Sequence, residues 1–421
     1  MRQFFLALVV AIAAAAQTPN WKRIAEAATP TSAPALARSA KDGKLHAVWW
    51  SGRDLLHATV GADDGKLSGA PKVILRGWSS RPSAPALQIL PDGTLQAVFA
   101  EVPGLYAVVS KDGGVKWESM AGPQSAIRDL QPIAFAAASD REGKPVLAFA
   151  SPAGSGKISM QSGFGAMQPM ETVREGACCV EDVQVAADND SGEGWVAWRQ
   201  NAARDAGLFV KAVKPAAGKA RRAPASRAES ARLPSISPRN GAPGVYLAYC
   251  EGFPVCQEIK LWNVRGGEAL TIAKAPGAKS VWLTPGPEGR FWILWMNASR
   301  SIWAVRSNKA LTRFGKPRSL GSPLVATQHL AGDGSSGPLD AWADLFHARL
   351  YAELELRGTP DGVMVTDLGD ALEGVEIEVA GKKVKSGVTG LAPHPIATGQ
   401  AVPVKAMHAA YAPATATLRA K

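Results

Sequence analysis

The sequence predicts an all-β chain, a β-propeller of seven blades followed by a small β-sandwich, on three observations. First, one pattern recurs: two short apolar runs around a Gly-containing turn, then a loop and an alternating run. Second, its copies begin at Pro34, Pro85, Pro132, Val183, Pro234, Ser280 and Leu324, in steps of 51, 47, 51, 51, 46 and 44 residues. Each step is the length of one four-stranded propeller blade. Third, the pattern stops near Thr359, beyond which there is no Trp, and no long helical period occurs anywhere.

The elements follow in chain order. Residues 1–16 read as a secretory signal peptide, with Arg2 as the positive start, Phe4 to Ala13 as the apolar run and Ala14-Ala15-Ala16 as the cleavage site. The apolar run is too short to span a bilayer, which takes about 20 residues. The mature chain is expected to start near Gln17, to carry no transmembrane segment and to be exported, to the periplasm or the medium. The Ala-, Arg-, Gly- and Pro-heavy composition fits a bacterial source. The propeller is expected over 17–355 and the sandwich over 356–421.

Within the propeller, each of the first six copies is followed by a fourth short run: KVIL, ESMAG, QPMETV, ARRAP, ALTIA and KPRSL. The seventh copy lacks one. The N-terminal run WKRIAEA, from Trp21, would supply it and close the ring, which removes two free sheet edges. Six blades with a longer C-terminal domain is the alternative. The apolar positions alternate within runs, as half-buried strands require.

Apolar residues are 46% of the chain and charged residues 20%, which excludes wholesale disorder. The net charge of +11 argues against a wholly cationic ligand. Nucleic acid is not expected as a partner, because no aromatic-basic RNA-binding motif is present. No P-loop, dinucleotide fingerprint or zinc-type Cys pair occurs, so neither cofactor nor metal is expected. Four cysteines are too few for a disulfide scaffold. Cys250 and Cys256 flank EGFPV at a hairpin mouth and are the preferred pair. Adjacent Cys178 and Cys179 could form a vicinal bridge; crossed pairing stays open, as does a copper or zinc site at Cys178-Cys179 with no nearby His to complete it.

Ser110-Lys111-Asp112-Gly113-Gly114-Val115-Lys116-Trp117 fits the spacing Ser-x-Asp-x-Gly-x-x-Trp. The Asp can accept turn amides, Gly permits positive φ, and the Trp ring can pack beneath the turn. This segment resembles the Asp-box of sialidase-like (BNR-repeat) propellers. The resemblance implies that Ser110, Asp112, Gly114 and Trp117 are structural, in a turn between third and fourth strands away from the ligand face. Cys178-Cys179 and Ala197-Trp198-Arg199 also resemble features of secreted bacterial members of that class. The C-terminal segment, on Val365-Thr366-Asp367, Gly374–Val379 and Val404–Tyr411, resembles carboxypeptidase-regulatory-like or immunoglobulin-like modules, and no chemistry is assigned to it.

The resemblance places the ligand face at loops between second and third strands and between blades. Candidate binding residues there are Arg53, Arg81, Glu101, Arg199 and Glu251. A sialidase grips a carboxylate with arginines, uses an acid, and attacks with a Tyr activated by a Glu. Tyr351, two residues from Glu353, is the candidate nucleophile pair, and Asp54 the candidate acid. The chain departs from the family at the first arginine, for Ser32-Ala33-Pro34 stands where Arg-Ile-Pro is expected, and Arg81 is only a displaced substitute. The expected function is therefore binding of a glycan, possibly acidic, or of an exported protein through the ring mouth, without full sialidase chemistry. An active exo-sialidase-type glycoside hydrolase and an envelope scaffold are the alternatives. Trp50 and Trp78 are candidates to stack on sugars, and His46 and His57 read as packing residues. The basic run Lys211 to Arg232 would attract polyanions or simply form a solvated outer strand. Asn297-Ala298-Ser299 fits a glycosylation sequon but reads as a loop.

Overall fold

The computed structural model describes residues 21–24, 33–78, 83–101, 104–120, 125–126, 134–139, 142–150, 157–162, 170–174, 176, 180–201, 206–214, 218–227, 234–323 and 329–420. The leader, Arg81, Cys178 and Cys179 lie outside the described residues. The chain forms two compact units, one of Pro19–Ala310 with Phe314–Leu350, the other including Leu311–Arg313 and Tyr351–Lys421.

Among the described residues, seven antiparallel sheets make up the first unit. Their first strands are Ala35–Arg38, Ala86–Ile89, Ala134–Ser139, Val180–Ala187, Ser235–Pro238, Ser280–Pro285 and Leu330–Asp333. Each first strand packs on the next and the last packs on the first, so the sheets close into a ring of seven blades. The last blade takes its outer strand from the N-terminus: Lys22 pairs with His347 and Arg23 with Phe346. The Ile24 amide donates to the Leu345 carbonyl at 2.7 Å, and the Trp21 indole to the Leu320 carbonyl at 2.6 Å.

The second strands do not alternate as expected. Phe291–Met296 is buried at every position, and Leu45–Ser51 and Leu95–Glu101 at all but the last. A strand deep within a blade has a neighbouring blade on each face, so both sets of side chains leave water and the run is continuously apolar. Indoles and rings fill these gaps; Trp50 meets Phe99 of the next blade edge-on at 5.1 Å.

Hydrogen bonds between blades repeat at the sequence period. The Gln88 amide donates to the Ala138 carbonyl at 2.7 Å, Gln184 to Pro234 at 2.5 Å, and the Trp282 indole to Gly332 at 2.9 Å. Each pair is 50 residues apart. The joint between last and first blades is ionic instead. Asp340, with a fully buried side chain, accepts from Arg38 at 2.6 Å, from Arg349 at 2.8 Å and from His347 Nε2 at 2.9 Å. Arg38 also reaches Asp333 at 2.6 Å.

The turn after Gly104–Ser110 packs on the first blade. Asp112 Oδ1 accepts the amides of Val115 and Lys116 at 3.0 and 2.8 Å and the Ser110 hydroxyl at 2.9 Å. The Trp117 ring lies 5.1 Å from that of His57, whose Nε2 is 3.0 Å from His46 Nδ1. Burial pushes the His57 imidazole down from 6.5 to about 3, with His46 and Lys72 adding to the effect. An unfolded chain therefore takes up a proton that the folded one refuses between those pH values. Stability falls by up to about 1.4 kcal/mol per pH unit as pH drops through that window. His57→Gln should remove this contribution, so the stability gap between wild type and variant in urea unfolding should narrow from pH 7.5 to pH 4.5. A constant gap would contradict it.

The second unit holds two four-stranded antiparallel sheets. In one of them Ala401–Met407 alternates exposed and buried residue by residue, as does its neighbour Glu376–Val379, so that sheet has one apolar face. The buried Tyr411 hydroxyl donates to Asp367 at 2.8 Å.

Candidate functional site

Second-to-third-strand loops and inter-blade loops share one end of the ring, because each antiparallel blade returns to it. Asp54 begins the third strand of the first blade, Asp54–Val60. Its Oδ1 accepts the Gly77 amide at 2.9 Å, and the Arg53 carbonyl accepts the Trp78 amide at 2.9 Å. The carboxylate thus fastens the loop leading to the next blade. Glu101 ends the second strand of the second blade and accepts the Trp78 indole N–H. Trp78 in turn meets Phe99 and Tyr106 edge-on, each at 5.0 Å. Trp78 is part of a joint between blades, and Trp50 is buried with its indole N–H on the Ser83 carbonyl at 3.1 Å.

Arg199 ends the second strand of the fourth blade, Gly194–Gln200. A register shift between Glu181 and Gln184 lets the facing strand present two acids to it. Arg199 Nε lies 2.6 Å from Asp182, which has φ +53°, and a terminal nitrogen meets Glu181. The arginine side chain is only 12% exposed. Glu251 ends the second strand of the fifth blade and lies 3.2 Å from Lys260, which also holds Glu258 at 2.8 Å. Burial lowers the Lys260 ammonium's affinity for its proton, but Glu258 and Glu251 together outweigh that and raise it.

Tyr351 and Glu353 stand after the last propeller strand, Phe346–Leu350, and belong to the second unit. The Ala352 backbone between them bridges Tyr411. Among the candidates at the ring end, Arg199 is joined to two acids and the others to loop or neighbouring-strand partners. Among the described residues no group of three or more His, Cys, Asp or Glu is placed to hold a metal, and no helix is long and apolar enough to cross a membrane.

The same end of the ring carries a cleft of about 810 Å³ between the fourth and fifth blades, within the usual size for a ligand site. Arg222, Pro224 and Arg227 form one wall, Glu251 and Phe253 the other. A disulfide between Cys250 and Cys256, with Cα atoms 5.4 Å apart, closes the loop bearing Phe253. Sequence reasoning named Glu251 here but not Arg227 or Phe253. The basic run and the Cys-flanked EGFPV were the available signals.

No protein-family model and no curated protein matches the chain. Among solved structures it is similar to a chain of a mitotic checkpoint complex, at 12% identity and TM-score 0.50, over 83% of this chain and 99% of that one. It is also similar to a Hadza microbial sialidase, at 14% identity and TM-score 0.42 over 63% of each chain. A Penicillium chrysogenum α-L-arabinanase complexed with arabinobiose matches at 15% identity and TM-score 0.42, over 69% of this chain and 95% of that one. At such identities the likeness is one of fold.

Proposed function

We propose that this chain is an exported propeller that binds a glycan or an exported protein through the ring end carrying its second-to-third-strand loops, without glycosidase chemistry. The observation that carries this reading is the state of the candidate acid and of two candidate binding residues. Asp54 holds a loop amide, Glu101 an indole and Arg199 two acids. A catalytic acid needs a proton to give at the substrate, and a substrate-gripping arginine needs its fork turned toward a ligand carboxylate. Here the fork of Arg199 meets Glu181 and Asp182 instead. Ser32-Ala33-Pro34, with no arginine where the sialidase-like pattern has one, supports the same conclusion. Export rests on the leader-like first sixteen residues.

The test is hydrolysis. Incubated with a panel of sialosides and neutral fluorogenic glycosides, the purified chain should release no sugar. Release from a sialoside that Tyr351→Phe or Arg199→Ala abolishes would replace this reading with an enzyme.

A further inference from the structure

The described part of the basic run from Arg222 to Arg227 and the exposed apolar tip of the Cys250–Cys256 loop meet in one place. The run contributes the outermost strand of the fourth blade, Arg221–Arg222, and the turn that follows it. This turn is held by its own bonds: Arg222 donates to the carbonyls of Ala206 and Ser226, each at 2.7 Å, and the Tyr249 hydroxyl donates to the Pro224 carbonyl at 2.7 Å. One wall of the cleft is therefore built before any ligand arrives. The facing loop, five residues between its bridged cysteines, exposes 59% of Phe253 and 49% of Val255. The Arg227 guanidinium carbon lies over the Phe253 ring, 5.3 Å from its centre, so the cation covers one face of the ring.

The geometry points to this cleft as a binding site for acidic sugars, of the uronic-acid type, within a polysaccharide. It rests on the binding reading above and names its ligand class. A carboxylated pyranose has three recognition features: a flat C–H face, one carboxylate and a set of hydroxyls. Phe253, 59% exposed, offers the ring face away from Arg227 to the C–H face. Arg227, with Arg222 behind it, offers a guanidinium for the carboxylate. Glu251, on the same wall as Phe253, accepts hydroxyl protons. A neutral sugar would leave the guanidiniums without an anion. A densely charged polyphosphate would meet the Glu251 carboxylate at close range.

Calorimetric titration of the full chain tests this with three probes: hexagalacturonate, cellohexaose and an oligoglutamate peptide. Hexagalacturonate should bind, with affinity falling as salt rises. Arg227→Gln and Phe253→Ala should each weaken it about tenfold or more, while Lys383→Gln, in the second unit, should not. Both cleft residues are exposed, so circular dichroism should show unaltered folding. Hexagalacturonate binding unchanged in both cleft variants would overturn the cleft and leave the binding propeller standing. Equal binding of cellohexaose, indifferent to Arg227→Gln, would overturn the acidic class. Phe253-dependent binding of the peptide alone would replace the sugar with a protein ligand. Absence of binding to all three probes would overturn the acidic-sugar cleft, while the binding reading answers to the hydrolysis test above.

Discussion

Asp340→Ala should destabilise the propeller by about 3–5 kcal/mol, the cost typical of removing one partner from a buried ionic cluster. Two arginines, Arg38 and Arg349, and the His347 ring converge on this carboxylate, and water has no access to it. Burial by itself would raise the carboxyl's proton affinity; the hydrogen bonds from His347 and Arg349 outweigh it and hold the group below the usual carboxylate range. Its contribution is therefore present above the ordinary carboxylate pKa and is lost as pH falls through the folded value. In Asp340→Ala, Arg38 keeps Asp333, and Arg349 keeps the carbonyls of Ala62 and Gly61 at 2.8 and 3.1 Å. Excess positive charge nevertheless stays buried at the joint between the last and first blades. Lys44→Ala is the control. Its pair with Asp42, at 2.8 Å, is half-exposed on both sides, and such pairs contribute about 0–1 kcal/mol. Urea unfolding should separate the two variants clearly at pH 7; equal midpoints would show that the ionic joint does not hold the ring.

Gly114→Ala should cost about 1–3 kcal/mol more than Gly113→Ala, although the two glycines are neighbours. Both have positive φ, +89° and +69°, so both alanines carry the left-handed penalty of about 1–2 kcal/mol. Space distinguishes them. A Cβ on Gly113 would meet nothing within 4 Å, whereas one on Gly114 would stand 2.4 Å from His57 Cε1. That ring cannot retreat easily, because it lies against Trp117 and His46, and overpacking a filled site costs about 1–3 kcal/mol. Similar losses for the two variants in thermal unfolding would mean that the turn does not bear on the first blade.

The ring was legible in the sequence because each blade repeats one hydrophobic programme at nearly constant length. The same period appears in the hydrogen bonds 50 residues apart. The N-terminal strand was legible from a missing piece, since the seventh copy had no fourth run and Trp21 began an unassigned one. Alternation in the second strands was misjudged, because stacking blades covers both faces of Leu45–Ser51 and its counterparts. At the ring end, Arg199 could be placed by strand position, but its two acids could not. They converge through a bulge, and a one-residue register shift leaves little trace in composition. The cleft was hidden for a similar reason. Its walls come from residues about 25 apart, brought together by two different blades, and local patterns do not record such pairings.

The clasp between Lys22 and His347 also imposes an order in time. A ribosome makes the outer strand of the last blade's sheet before anything else in the ring, and its partner more than 300 residues later. Until then Arg38 has neither Asp333 nor Asp340, and the first blade has no neighbour on one side. Closing so long a loop places the slowest contact at the end of the sequence of events. The propeller is thus a structure that cannot be finished by instalments: a chain halted before Leu330 holds most of its blades but no closed ring.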